Sequence, residues 1–275
     1  MMNLISVSSA RLAEFESDTP NRLSSTLKVM TRILQESVVD GFELLYKPEW
    51  DGDPPLSSKD SANYTAEEVL SQLQLQHLPI LSVHARKDLG DYLCSRRERD
   101  IEKGRGLIRN ALAFTEDLGA EICTFHLWNT LESNFDPAFV QDLFEEAADM
   151  FPKLKASVEN IPTSLSGKTP IALIKRYQHV TLDTRWAARY GELNAFEPLI
   201  NRVANVHLRG TLEGERWVLS DSGFHFYDTL HTITDKWRYR GMLTVEPDGE
   251  ISSSQFSSFI KAMFSLRAKH VAEFD

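Results

Sequence analysis

Residues 180–210 read VTLDTRWAARYGELNAFEPLINRVANVHLRG. The stretch opens on a β-branched run ending at Asp183, passes through a helix pattern over 193–201, and closes on a second β-branched run, 203–208, that carries His207. Two strand-length runs joined by a helix-length segment form one βα unit, the building block of a parallel sheet. The same alternation extends in both directions. Strand-like runs also occupy 4–7, 42–46, 80–84, 122–127, 156–159 and 242–246, and helix patterns occupy 27–38, 66–75, 98–118, 137–151, 169–177, 226–237 and 254–272. That makes about eight βα units, the number a (β/α)8 barrel requires. The expected fold class is α/β, a single (β/α)8 TIM barrel. No Ser/Gly-rich linker or compositional break divides the chain, so one domain is expected over 1–275. Gly41, Gly119 and Gly241 each stand between a helix pattern and a strand, where a left-handed C-cap residue is wanted.

Composition narrows the function. Of 275 residues, 42% are hydrophobic and 25% charged, and 13 Gly with 11 Pro are too few for a collagen-like or low-complexity chain. The net charge of -10 disfavours a general electrostatic grip on nucleic acid or anionic lipid, so the expected partner is a small molecule, with no nucleic acid and no membrane. The mixed-sign run Arg96-Arg97-Glu98-Arg99-Asp100 reads as a solvated helix face. Cys94 and Cys123 are too few for a disulfide framework and too far apart for a C-x-x-C site, so they read as buried thiols. The short apolar run at the N-terminus has no basic segment before it, and no stretch approaches the ~18 apolar residues of a membrane span. A cytoplasmic protein is expected. The polar loop 51–63, with Pro54-Pro55, would lie on the carboxyl-end face of a barrel, as a lid or as an ordinary surface loop.

In a barrel the carboxyl ends of the strands converge on one mouth, so the residues that end each strand matter most. Lys47 follows the second strand. His84 ("SVHAR"), His126 ("TFHLW"), Glu159 ("SVENIP"), Asp183 ("TLDTRW"), His207 ("VHLRG") and Glu246 ("TVEPDG") end the next six. An isolated His or Glu at a strand end is ordinarily a capping or salt-bridging group. Three carboxylates in one mouth, however, repel one another strongly unless a cation or protons neutralise them. A bound divalent cation resolves that conflict.

The ordered motifs "SVHA", "FH", "VEN", "LDT" followed by Trp, "VHLRG" and "VEP" resemble the xylose isomerase-like TIM-barrel superfamily. That superfamily contains sugar and sugar-phosphate isomerases and epimerases and, more distantly, endonuclease IV. The resemblance runs through nearly the whole chain. It implies one divalent metal held by Glu159, Asp183, His207 and Glu246. An oxygen-rich set of this kind suits Mn²⁺ first, with Mg²⁺, Co²⁺ or Zn²⁺ as alternatives. It also implies Glu159 and Glu246 as the catalytic acid–base pair, moving a proton through an enediolate in an epimerisation or an aldose–ketose isomerisation. His84 and His126 would donate to substrate hydroxyls, Arg209 or Arg86 would meet a phosphate or carboxylate, and Trp186 or Trp128 would wall the sugar. The substrate class is a small sugar, sugar phosphate or related polyol. Superfamily members often form homo-oligomers.

The sequence also departs from that pattern. Trp186 stands where D-x-x-H has its His, Gly210 where an acid commonly follows the strand-seven His, and the loop 161–165 lacks a further Glu. Substrate recognition is therefore expected to differ from the well-known ketose epimerases. Two other readings follow: a catalytically silent barrel with a binding or regulatory role, and an endonuclease IV-like phosphodiesterase, which needs more His and Asp ligands and a basic groove. Asp221 and His225 could be extra ligands or parts of a turn and helix cap.

Overall fold

A computed structural model describes residues 3–16, 22–54, 64–219 and 225–271. Its strands, in chain order, are β1 (Leu4–Ser8), β2 (Gly41–Leu45), β3 (Ile80–His84), β4 (Ile122–Phe125), β5 (Lys155–Glu159), β6 (His179–Asp183), β7 (Val203–Glu213), β8 (Arg216–Leu219) and β9 (Met242–Pro247). Each of the first six pairs in parallel with its successor, β7 pairs in parallel with β9, and β9 pairs in parallel with β1. Eight parallel strands thus close a (β/α)8 barrel, as the sequence predicts. The ninth strand, β8, is an addition the sequence pattern did not show: β7 runs past the barrel rim and folds back as an antiparallel hairpin, with Gly214 at φ 61° in its turn.

The two faces of the barrel wall differ in kind. Outward-facing residues such as Ile5, Phe42, Leu44, Val83, Phe125, Val158, Leu182, Val206 and Leu243 are fully or almost fully buried beneath the helices, where apolar area leaves water. The inward-facing layer is polar: Ser6, Glu43, Ser82, Thr124, Ser157, Thr181, Asn205 and Thr244 are all 0% exposed. Barrel interiors are more often filled by branched apolar side chains. Here hydroxyls and amides satisfy one another, with Ser157 Oγ 2.6 Å and Thr124 Oγ1 3.2 Å from Thr181 Oγ1, and Thr244 Oγ1 donating to Asn205 Oδ1 at 2.9 Å. A polar floor therefore lies under the mouth.

Among the helices, α1 (Arg22–Glu36), α2 (Ala66–Leu75), α4 (Glu98–Asp117), α5 (Pro137–Ala148) and α9 (Phe256–Val271) lie where the periodicity places them, with the short α3 (Leu89–Leu93) between β3 and α4. Asp136 caps α5 by accepting from the Ala138 and Phe139 N–H groups, and Thr65 with Glu68 forms a capping box on α2. After β5 comes α6 (Pro170–Ile174); after β6 comes α7 (Thr184–Arg189), which the pattern did not reveal. The segment predicted as a helix over 193–201 is instead a 3-10 helix, Leu193–Arg202, because Pro198 lies inside it and removes a backbone donor. The helix after β8, α8 (Phe226–His231), widens into a π turn over Thr232–Lys236.

The glycine expectation holds at one of three positions. Gly119 has φ 70°, whereas the left-handed residues before β3 and β9 are His77 (φ 52°) and Arg238 (φ 57°). Gly41 and Gly241 are required for space instead. A Cβ on Gly41 would lie 2.6 Å from the Pro79 carbonyl oxygen, and one on Gly241 would lie 2.3 Å from the Tyr239 hydroxyl. No helix among the described residues is long and apolar enough to cross a membrane. Most of the loop considered as a lid, 55–63, lies outside the described residues.

Candidate active site

The mouth is assembled by adjacent strands whose last residues turn inward together. Glu159 ends β5 with 0% exposure; His84 Nε2 lies 3.2 Å and His126 Nε2 2.8 Å from its Oε2. His84 fixes its own ring by donating from Nδ1 to the Ala85 carbonyl oxygen at 2.7 Å, and its ring meets that of His126 edge-on at 4.7 Å. Burial dominates at His126 and pushes its imidazole down to about 4 despite Glu159, with His84 and Lys87 adding to the depression. At Glu159 burial alone would raise the carboxyl, yet His126 and His207 outweigh it and hold the group well below the ordinary range.

Asp183 ends β6 and begins α7. Its Oδ1 accepts from the Trp186 N–H at 3.0 Å, the capping bond that starts the helix. Asn160 locks the backbone at this point: its Oδ1 accepts from the Asp183 N–H at 2.6 Å and its Nδ2 donates to the Asp183 carbonyl at 3.2 Å. Burial pushes Asp183 up to about 7, and the pull of Arg209 in the opposite direction does not cancel it.

His207 on β7 is 0% exposed and is oriented from behind. Its Nε2 donates to Glu43 Oε2 at 3.1 Å, and the same oxygen accepts from Ser82 Oγ at 3.1 Å and Asn205 Nδ2 at 3.0 Å. Its Nδ1 faces the mouth, 3.4 Å from Glu246 Oε1 and 3.6 Å from Glu159 Oε2. Burial would lower this imidazole, but Glu43, Glu246 and Glu159 around it raise it well above its usual value. A carboxylate behind a histidine that presents its other nitrogen to a site is the arrangement that orients metal-ligating imidazoles.

On the far side Arg209 leaves β7 and lies among acids. Its Nη2 contacts Glu246 Oε2 at 2.7 Å, its Nε lies 3.1 Å from Asp183 Oδ2, and its guanidinium carbon sits 5.6 Å from the centre of the Trp186 ring. Burial would raise Glu246, but Arg209 and then His207 hold it down to about 2.

The residues singled out from sequence therefore meet in one place. Glu159, Asp183 and His207 each offer a ligand atom within 4.8 Å of the others, and so do His84, His126 and Glu159, and His84, His207 and Glu246. Three buried atoms in the first set, Glu159 Oε1, Asp183 Oδ2 and His207 Nδ1, have no hydrogen-bond partner. Unsatisfied buried polar atoms are rare in native proteins, and carboxylate oxygens with an imidazole nitrogen are donors of the kind that divalent ions take. The residues present fit a divalent ion. Trp186 is half-buried and forms a platform beneath Arg185, Arg189 and Arg209 at 5.1–5.8 Å.

Other expectations fall away from the mouth. Arg86 is 2% exposed and is consumed by Asp51, Asp53 and Asp88, so its guanidinium is not presented to a substrate anion. Trp128 is buried and donates from its indole to the Pro162 carbonyl at 2.8 Å, a packing role. Lys47 lies 3.8 Å from Glu49. His225 is exposed at the start of α8, and Asp221 lies outside the described residues. Glu43, Asn160 and Asn205 were missed from sequence. Glu43 had a readable signal, a lone acid inside the apolar run of β2.

No protein-family model matches the sequence, and no curated relative matches it. Solved structures do. A sugar phosphate isomerase/epimerase from Parabacteroides distasonis superposes with a TM-score of 0.68 at 16% identity, covering 98% of this chain and 97% of the other. The D-allulose 3-epimerase of a Methylomonas species gives 0.67 at 14% identity over 98% of both chains. A family 2 AP endonuclease from Brucella melitensis gives 0.61 at 17% identity, covering 94% of this chain and 100% of the other. At these identities the likeness speaks to the fold alone, and that fold is the (β/α)8 barrel these solved structures share.

Proposed function

We propose that the protein is a divalent-metal-dependent isomerase or epimerase acting on a small sugar, sugar phosphate or related polyol. The observation that carries the reading is the convergence of three buried atoms that complete no hydrogen bond among the described residues, on Glu159, Asp183 and His207, whose side chains offer ligand atoms within 4.8 Å of one another. Glu246 completes the proposed set through Oε1, the oxygen that faces His207. The donor chemistry favours Mn²⁺, with Mg²⁺, Co²⁺ or Zn²⁺ able to take its place. When bound, the ion supplies a Lewis acid that polarises a substrate oxygen and makes the adjacent C–H acidic.

The chain's own residues then divide the remaining work. Glu159, held ionised by the imidazoles around it, accepts the proton from the substrate carbon. Glu246 stands across the mouth as the second acid–base group. A proton delivered by Glu246 to the opposite face, after that carboxylate has taken one up from solvent, gives an epimer; return of the abstracted proton from Glu159 to the neighbouring carbon gives an isomer. His84 and His126 orient Glu159 and offer polar edges to substrate hydroxyls, while Trp186 and Arg209 close the other side.

The test is elemental analysis of the purified protein followed by a sugar and sugar-phosphate screen. About one metal per chain is expected. Its loss in the Glu159→Gln, Asp183→Asn double variant, together with loss of turnover in Glu159→Gln and in Glu246→Gln, supports the assignment. Turnover that survives in both single variants would sink the acid–base pair. Absence of bound metal under several divalent ions would favour the silent-barrel reading, which draws on the way Arg209 already neutralises two of the acids.

A further inference from the structure

Two of the four acids and imidazoles assigned to the metal are already in contact with a cation of the protein itself. Asp183 has two oxygens. Oδ1 already accepts the Trp186 N–H that caps α7, so Oδ2 is the less committed oxygen for a metal. That is the oxygen beside Arg209 Nε at 3.1 Å. The contact is close but poorly aligned: neither atom completes a hydrogen bond there, although both are buried. Arg209 is better anchored elsewhere, through Nη2 to Glu246 Oε2 at 2.7 Å and by its face against Trp186. Glu246 keeps Oε1 directed at His207 while Oε2 holds the arginine.

We propose that Arg209 is a built-in competitor of the divalent ion: its guanidinium balances Asp183 and Glu246 in the metal-free protein, and metal loading displaces it from Asp183 while its hold on Glu246 persists. The inference rests on the metal-dependent reading above and adds to it a reason for restrained affinity. A positive charge about 3–4 Å from a ligand oxygen repels an incoming dication strongly in a buried setting. Removing the charge relieves both the repulsion and the competition for Oδ2. Because the guanidinium already lies against Trp186, a shift of Arg209 should change the indole's surroundings and so its fluorescence.

The experiment is titration of the dialysed protein with Mn²⁺ by calorimetry, with tryptophan fluorescence in parallel, for wild type, Arg209→Met and Arg209→Lys. Methionine keeps length and an apolar contact with Trp186 but loses the charge; lysine keeps the charge, and its circular dichroism controls for folding. The expected result is Mn²⁺ bound about tenfold or more tightly by Arg209→Met, the scale on which groups contacting ligands alter metal affinity, with Arg209→Lys near wild type. The fluorescence change on loading should shrink in Arg209→Met. Equal affinity in wild type and Arg209→Met would overturn the competition and leave the metal-dependent reading intact. Binding in Arg209→Met but not in wild type would support the competition and overturn native metal dependence. Binding in none of the three, all folded, would overturn both.

Discussion

Two arginines in this barrel are buried among carboxylates, and they are built differently. Arg86, at the rim, reaches Asp88 at 2.7 Å through both Nε and Nη2, and Asp53 and Asp51 at 2.8 and 3.2 Å through Nη1. Further bonds tie the same acids down, from Lys103 to Asp53 and from Tyr46 and Asn110 to Asp51. Arg209, in the mouth, has one short contact with Glu246 through Nη2 and one misaligned contact with Asp183 through Nε, which completes no hydrogen bond. The first cluster satisfies itself and joins the loops after β2 and β3. The second leaves donor and acceptor atoms unmet, the state expected of a place prepared for something else. Buried charge by itself does not mark a site; unfinished pairing of several groups that converge from neighbouring strands does.

The contrast can be broken in order of size. Arg86→Met strands three carboxylates in a packed rim and should cost about 3–5 kcal/mol in denaturant unfolding. A loss below about 1 kcal/mol would show the rim to be an ordinary surface pairing. Glu43→Gln should leave the barrel folded but weaken Mn²⁺ binding about 10–100-fold, because the carboxylate behind His207 fixes its tautomer and basicity. Unchanged affinity would remove Glu43 from the site.

Arg209→Met should destabilise the metal-free protein by only about 1–2 kcal/mol, less than a broken buried pair usually costs, since protonated Asp183 and charged His207 compensate. Mn²⁺ should restore that loss, and should restore nothing in Arg86→Met.

The smallest effect is in pH. His126 is held down to about 4, so between about 6.5 and 4 the unfolded chain binds a proton that the folded chain does not. This group's contribution to the stability of the metal-free protein should therefore fall with pH through that window, against the opposite contribution of Asp183, and the His126→Gln variant should lose less than wild type. Comparing chemical-denaturation midpoints at pH 7 and 5 checks the sign. A steeper fall in the variant would reverse it.

Particular elements show what could be read in one dimension. The alternation of strand and helix patterns along the whole chain was enough for the barrel, because parallel strands buried under helices need apolar residues and the crossovers need amphipathic ones. The residues at the mouth ends of β3 to β7 and of β9 were legible for the same reason: once the strands are placed, the mouth follows. The α7 helix was hidden because its six residues are too few to show a period, and its start depends on a capping bond from Asp183. The hairpin β7–β8 was hidden because its strands follow no apolar alternation.

The sequence by itself determined the architecture and the inventory of the mouth, since period, length and strand-end identity are local properties of the chain. Tertiary structure alone decided which oxygen of Asp183 caps a helix and which faces the site, that Glu43 stands behind His207, and that one arginine completes the rim while the other contests the centre. These depend on distances of a few ångströms between strands far apart in sequence, set by closure of the sheet and invisible to any local pattern.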